Sequence, residues 1–123
     1  MCYNKRMESN LDIYEEKRPW GAFRRFTNNT PSTVKIITVN PNEQLSLQSH
    51  NKRSEFWKVI DGDGIFEIDG RKYIVEKGIE KEIKIGAKHR MQAGSDGMKI
   101  LEIAFGDFDE SDIVRYEDKY GRV

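Results

Sequence analysis

Breaks built from turn-forming residues recur along this chain: NNTP at 28–31, NPNE at 40–43, DGDG at 61–64, DGRK at 69–72 and GSDG at 94–97. Asn, Asp and Gly tolerate positive φ and Pro fixes its own, so each cluster interrupts the element before it. The intervals between them are too short for long helices, and they suit strands. Alternating or β-rich runs fall at Gly21–Thr27, Thr33–Asn40, Gln44–Ser49, Glu55–Ile60, Gly64–Asp69, Lys72–Val75, Glu80–Ile83, Lys88–Gln92 and Met98–Phe105. In IFEIDGRKYIV an Asp-Gly pair separates two such runs, a strong hairpin signal. Many short strands within 123 residues predict one all-β domain, a sandwich or small barrel, with short helical turns at Asp12–Lys17 and Glu110–Tyr116.

Charge narrows the partners. Lys plus Arg (21) balances Asp plus Glu (21), which removes any general attraction to nucleic acid or an anionic membrane. No apolar run approaches the roughly 18 residues that span a bilayer. The start of the chain, MCYNKRMESNLDIYEEKRPW, lacks the apolar stretch of a signal peptide, and its Cys2 is the sole cysteine. Disulfides are therefore not expected, and a cytoplasmic location is.

The stretch LSLQSHNKRSEFW (45–57) carries the chemistry. Strand alternation puts Gln44, Ser46, Gln48 and His50 on one face and Leu45, Leu47 and Ser49 on the other, with Glu55 following. A row of amide, hydroxyl and imidazole needs a polar surrounding or a ligand. The chain's two histidines, His50 and His89, each lie on an expected strand near a glycine-bearing turn. Imidazole, carboxylate and amide oxygen together suit a divalent ion such as Zn²⁺, Mn²⁺, Fe²⁺, Co²⁺ or Ni²⁺. A strand histidine is as readily a hydrogen-bonded structural residue, and spacing alone leaves both readings standing.

Two longer patterns bear on that choice. The first cupin motif, G-x5-H-x-H-x4-E-x6-G, aligns without a gap from Asn42 through Gln48, His50 and Glu55 to Gly62. The second, G-x5-P-x-G-x2-H-x3-N, aligns from Gly78 through Lys84, Gly86 and His89 to Ala93. Asn42, Gln48, Lys84 and Ala93 depart from the motif letters. The Gln in place of His is a substitution found in one cupin branch, the isomerase domain of type II phosphomannose isomerases. RPWGAF (Arg18–Phe23), LSLQSHNKRSEFW and DESDIVRYEDKYGR (Asp109–Arg122) all resemble signatures of that family. Where the family carries three further imidazoles, this chain has Asn51, Lys52 and Phe56.

The resemblance implies a cupin jelly-roll barrel (a double-stranded β-helix) over residues 18–123 behind an extension of residues 1–17. It implies one divalent metal, zinc favoured, on Gln48, His50, Glu55 and His89. The implied activity is aldose–ketose isomerisation of mannose 6-phosphate to fructose 6-phosphate through an enediol. Arg53, Lys35 and Lys52 are the catalytic candidates, Arg53 being expected at the cavity mouth. Arg115, Arg122 and Trp57 are the candidate contacts to a phosphosugar. Trp57 and Trp20 are expected in the core or cavity wall, and Phe56 and Phe66 in the core. Alternatives are a cupin dioxygenase and a non-catalytic sugar-binding module. The family habit also implies a homodimer, with residues 11–27 packed against or crossing to the partner.

Overall fold

The computed structural model describes the backbone of residues 3–6 and all of residues 13–122. Cys2 and Asp12, on which two expectations rested, lie outside them. Ten strands follow in order: β1 (Tyr3–Arg6), β2 (Tyr14–Arg18), β3 (Gly21–Arg25), β4 (Ser32–Val39), β5 (Leu47–Ser49), β6 (Ser54–Ile68), β7 (Arg71–Glu76), β8 (Glu80–Ile83), β9 (His89–Phe105) and β10 (Val114–Glu117). All pairings are antiparallel.

Two strands build most of the barrel. The first half of β6 and the second half of β9 pair with each other and are flanked by β8 and β4. The second half of β6 and the first half of β9 pair again, now flanked by β7 and β5, with β10 beyond β5. Two sheets thus share two bent strands, which is the expected jelly-roll. The hydrophobic core lies between them: Val39, Trp57, Val59, Ile83, Met98 and Ile100 from one sheet meet Phe66, Val75, Met91 and Ala93 from the other.

The bends sit where turns are expected. DGDG and GSDG do not end their strands; they lie inside β6 and β9, where Gly62 pairs with Met98 and Gly64 with Ala93, the residues that flank GSDG on either side. The register shifts at these points, and the inward row changes parity with it. On β6 it passes from Glu55, Trp57 and Val59 to Phe66, and on β9 from His89, Met91 and Ala93 to Met98, Ile100 and Glu102. The glycines are needed for backbone approach. A Cβ on Gly62 would lie 2.2 Å from the Gly97 carbonyl oxygen, and one on Gly64 2.0 Å from that of Gln92. The hairpin at Asp69-Gly70 is as expected, both residues having positive φ (48° and 82°), the requirement of a type I′ turn.

Neither expected helical stretch is helical. Tyr14–Arg18 pairs with β3, and of Glu110–Tyr116 only Glu110 and Ser111 form a tight turn, closed by Asp112 N to the Asp109 carbonyl at 3.0 Å, before Val114–Glu117 pairs with β5. Available edges satisfy the backbone groups of both segments, which outweighs their weak local preference. Among the described residues there is no helix. None is therefore long and apolar enough to cross a membrane.

The β2–β3 segment covers the outside of the first sheet. Ile13, Phe56 and Ile103 form a second cluster with Phe26 and Phe105, so Phe56 is core as expected. Arg24 reaches Glu80 on β8 at 2.6 Å. Trp20 is not in a core or cavity wall. It lies at the turn between β2 and β3 and is 73% exposed.

Candidate metal centre

One end of the space between the sheets is polar. A cavity of about 230 Å³ is lined by Lys35, Ser46, Gln48, His50, Arg53, Glu55, Trp57, His89, Arg90, Glu102, Glu110, Arg115 and Arg122, among others. Ser46, Gln48 and His50 therefore share the cavity face as the alternation predicted, but Leu45, expected on the other face, lines it too, and Gln44 does not. Regular strand structure begins only at Leu47, so strict alternation does not hold before it.

His50, Glu55 and His89 are all buried and offer ligand atoms within 4.8 Å of one another. Glu55 lies between the two rings, with Oε2 3.6 Å from His50 Nε2 and Oε1 3.5 Å from His89 Nε2. The tautomers follow from the neighbours. His50 Nδ1 is 2.7 Å from the Asp112 carbonyl oxygen and His89 Nδ1 is 2.8 Å from that of Ala87. A carbonyl only accepts, so each Nδ1 carries a proton, and each ring turns its Nε2 toward Glu55. Burial pushes the His89 imidazole below its usual range, although the Glu55 carboxylate pulls it up. That favours the neutral form a metal requires. Gln48 is opposite His89 in register, and its amide NH₂ is turned to Ser46, 3.3 Å from Oγ.

Charge completes the fit. Glu55 and Glu102 are both buried, and Trp57 Nε1 donates to Oε1 of Glu55 (3.2 Å) and Oε2 of Glu102 (3.1 Å). Burial, reinforced by the Glu55 charge, pushes the Glu102 carboxyl up to about 7. Two buried carboxylates call for a nearby cation. Arg53 supplies one: its Nε donates to Glu55 Oε2 and its Nη2 to His50 Nε2, each at 3.1 Å. Arg53 is therefore not at the cavity mouth. It is 8% exposed and touches the candidate donor atoms of Glu55 and His50. A donor set of two imidazole nitrogens and a carboxylate, already drawing a cation, fits a divalent ion.

The remaining candidates divide. Lys35, Arg115 and Arg122 line the cavity, and the buried Nε of Arg115 has no hydrogen-bond partner. Arg122 is held by Asp118 at 2.6 Å. Trp57 is cavity wall and core at once, packed edge-on to Phe66 with ring centroids 4.9 Å apart. Lys52 is exposed and outside the cavity lining.

Two site residues escaped the sequence reading. Glu102 could have been found as the lone charge in ILEIAF, on the same alternating row as Ile100. Asp112 clamps the 50–53 loop. Its carbonyl takes the His50 proton donor, and its carboxylate accepts from Asn51 N and Lys52 N, both at 2.9 Å. Those N–H groups, Asn51's first, hold its carboxyl below the usual range. The terminal signature thus orients a candidate ligand through main-chain geometry, which no local pattern announces.

The model for the mannose-6-phosphate isomerase C-terminal family matches residues 4–118. The chain belongs to that family. It is 36% identical over 111 residues to the mannose-1-phosphate guanylyltransferase ManC of Salmonella typhimurium, covering 89% of this chain and 23% of that protein. It is 34% identical over 118 residues to the alginate biosynthesis protein AlgA of Pseudomonas putida, covering 94% of this chain and 24% of that protein. The chain spans about a quarter of the length of these relatives. Among solved structures, the capsular polysaccharide assembling protein CapF from Staphylococcus aureus superposes with a TM-score of 0.65 at 19% identity, over 85% of this chain and 32% of that one. The fold of this family member is the cupin barrel.

Proposed function

We propose that this domain is a metal-dependent sugar-phosphate isomerase that interconverts mannose 6-phosphate and fructose 6-phosphate. One observation carries the reading: a single cavity holds both the His50–Glu55–His89 donor set and a group of cations suited to a phosphate. Membership of the mannose-6-phosphate isomerase C-terminal family supports the substrate, as does kinship with proteins named for mannose 1-phosphate chemistry. His50, Glu55, His89 and Gln48 would hold one divalent ion, zinc favoured, which when bound supplies a Lewis acid for the sugar oxygens.

The chain's own residues do the rest. Arg115, with its unpartnered buried Nε, is the primary phosphate-binding residue, and Arg122 and Lys35 add charge around it. Arg53 orients Glu55 and His50 through its Nε and Nη2, and a bound divalent ion would take over the charge it supplies to them. Trp57 fixes the directions of both buried carboxylates. The protein acts in the cytoplasm, as a homodimer. The test is a coupled assay of mannose 6-phosphate conversion with Zn²⁺, Mn²⁺ or Co²⁺, run beside calorimetric titration with fructose 6-phosphate. Metal-dependent turnover is expected. Binding without turnover would leave a sugar-binding module, and neither binding nor turnover would defeat the reading.

A further inference from the structure

An isomerase needs a group that moves a proton between adjacent carbons. The positions where the family motif has three extra imidazoles do not supply it, and their loss is no obstacle. Asn51 and Lys52 are exposed, and Phe56 lies in the outer cluster beneath Phe26. None of the three lines the cavity. The group must be sought among the side chains that do.

Most of those are committed elsewhere. His50, Glu55 and His89 form the donor set, and both histidines spend Nδ1 on carbonyl oxygens. The Glu110 side chain is 84% exposed and sits 3.7 Å from the Lys35 ammonium. Glu102 is left. It stands on β9 between Trp57 on β6 and Lys35 on β4, one cross-strand row facing the cavity. Trp57 Nε1 holds its Oε2 at 3.1 Å and is its one hydrogen-bond partner among the described residues, so the second oxygen is unspent. The indole is 2% exposed and wedged against Phe66 and His89, so the carboxylate is aimed by a ring that cannot turn.

We propose that Glu102 carries the proton between C2 and C1 of the sugar phosphate, an inference that rests on the isomerase reading above. From the open-chain aldose, Glu102 takes the C2 proton. The C2–H electron pair becomes the C1=C2 bond, and the carbonyl π pair moves onto O1. The hydroxyl proton of O2 passes to O1, the carbonyl re-forms at C2, and Glu102 returns its proton to C1. Nothing is oxidised overall, and the carboxylate ends as it began.

Glu102→Gln keeps an acceptor for Trp57 and nearly the same volume, but it cannot hold the transferred proton. Wild type and variant, loaded with the same metal, are compared by turnover of mannose 6-phosphate, deuterium uptake from D₂O into the sugar carbons by NMR, and calorimetric affinity for fructose 6-phosphate. We expect kcat and deuterium uptake to fall together by about 100-fold or more. Metal content and affinity should stay within about threefold, the pattern of an interaction made in the transition state alone. Glu102→Asp, which retains a carboxylate, should recover part of the exchange. Wild-type kcat in Glu102→Gln overturns the assignment and leaves the isomerase intact. A loss of affinity or metal that matches the loss of activity also overturns it, making Glu102 a binding residue. A wild type that neither binds nor converts either sugar phosphate overturns the isomerase reading itself, and the assignment with it.

Discussion

The two ends of the barrel interior are built from the same strands and are chemically opposite. Along the inward row of β6, Glu55 is followed by Trp57, Val59 and Phe66; along β9, His89 precedes Met91, Ala93, Met98 and Ile100, and Glu102 comes last. Every one of these side chains is buried. One end is filled by hydrocarbon and the other by carboxylates, imidazoles and guanidinium. Burial alone therefore does not distinguish core from site here. Depth along the strand does. The apolar end contributes stability through area removed from water, whereas the polar end carries a desolvation cost that only hydrogen bonds and a cation offset.

That contrast can be broken at its apolar end first. Phe66→Ala should cost about 3–5 kcal/mol of unfolding free energy, the usual range for truncating a fully buried aromatic. Urea unfolding followed by circular dichroism measures it. A cost near that of a surface substitution would mean the apolar end does not hold the barrel together.

The polar end should respond differently. His50→Ala should abolish bound metal, read by elemental analysis, while the metal-free protein keeps its β spectrum and loses much less stability than Phe66→Ala. In wild type, free metal at about 100 times its Kd should add about 2.7 kcal/mol, since it binds only the native state. His50→Ala should lack that increment. A variant that retains a full equivalent of metal would refute the donor set.

The smallest effect concerns the outer cover rather than either end. Arg24 pairs with Glu80 across a partly buried gap, and Arg24→Ala should cost about 1 kcal/mol at neutral pH. Burial pushes the Glu80 carboxyl up, but Arg24 and Lys58 outweigh it and hold the group below its usual range. A depressed carboxyl binds its proton more weakly in the native state than in the unfolded one. Its contribution is therefore present above the ordinary value of 4.5 and lost as pH falls through the lower native value. The gap between wild type and Arg24→Ala in urea unfolding should narrow on acidification, and a gap that widens would show that the ion pair is not its source.

Local signals determined much of this protein. Alternation marked most strands, Asp69-Gly70 marked the hairpin, and the row through Ser46, Gln48 and His50 pointed to a polar cavity. These depend on period and on φ preference, which neighbouring residues set by themselves. Resemblance, rather than spacing, singled out His50, Glu55 and His89, and the fold then gathered them within 4.8 Å.

Only the tertiary structure decided the rest. DGDG and GSDG look like turns in isolation, yet each finds the other across the sheet, and their glycines become points of close approach inside continuous strands. Val114–Glu117 is a strand because β5 offers it an edge. Arg53 is buried against Glu55 and His50, Asp112 holds His50 from 62 residues away, and Glu102 faces the cavity beside Trp57. Each of these depends on partners distant in the chain, whose positions are set by strand register across the barrel.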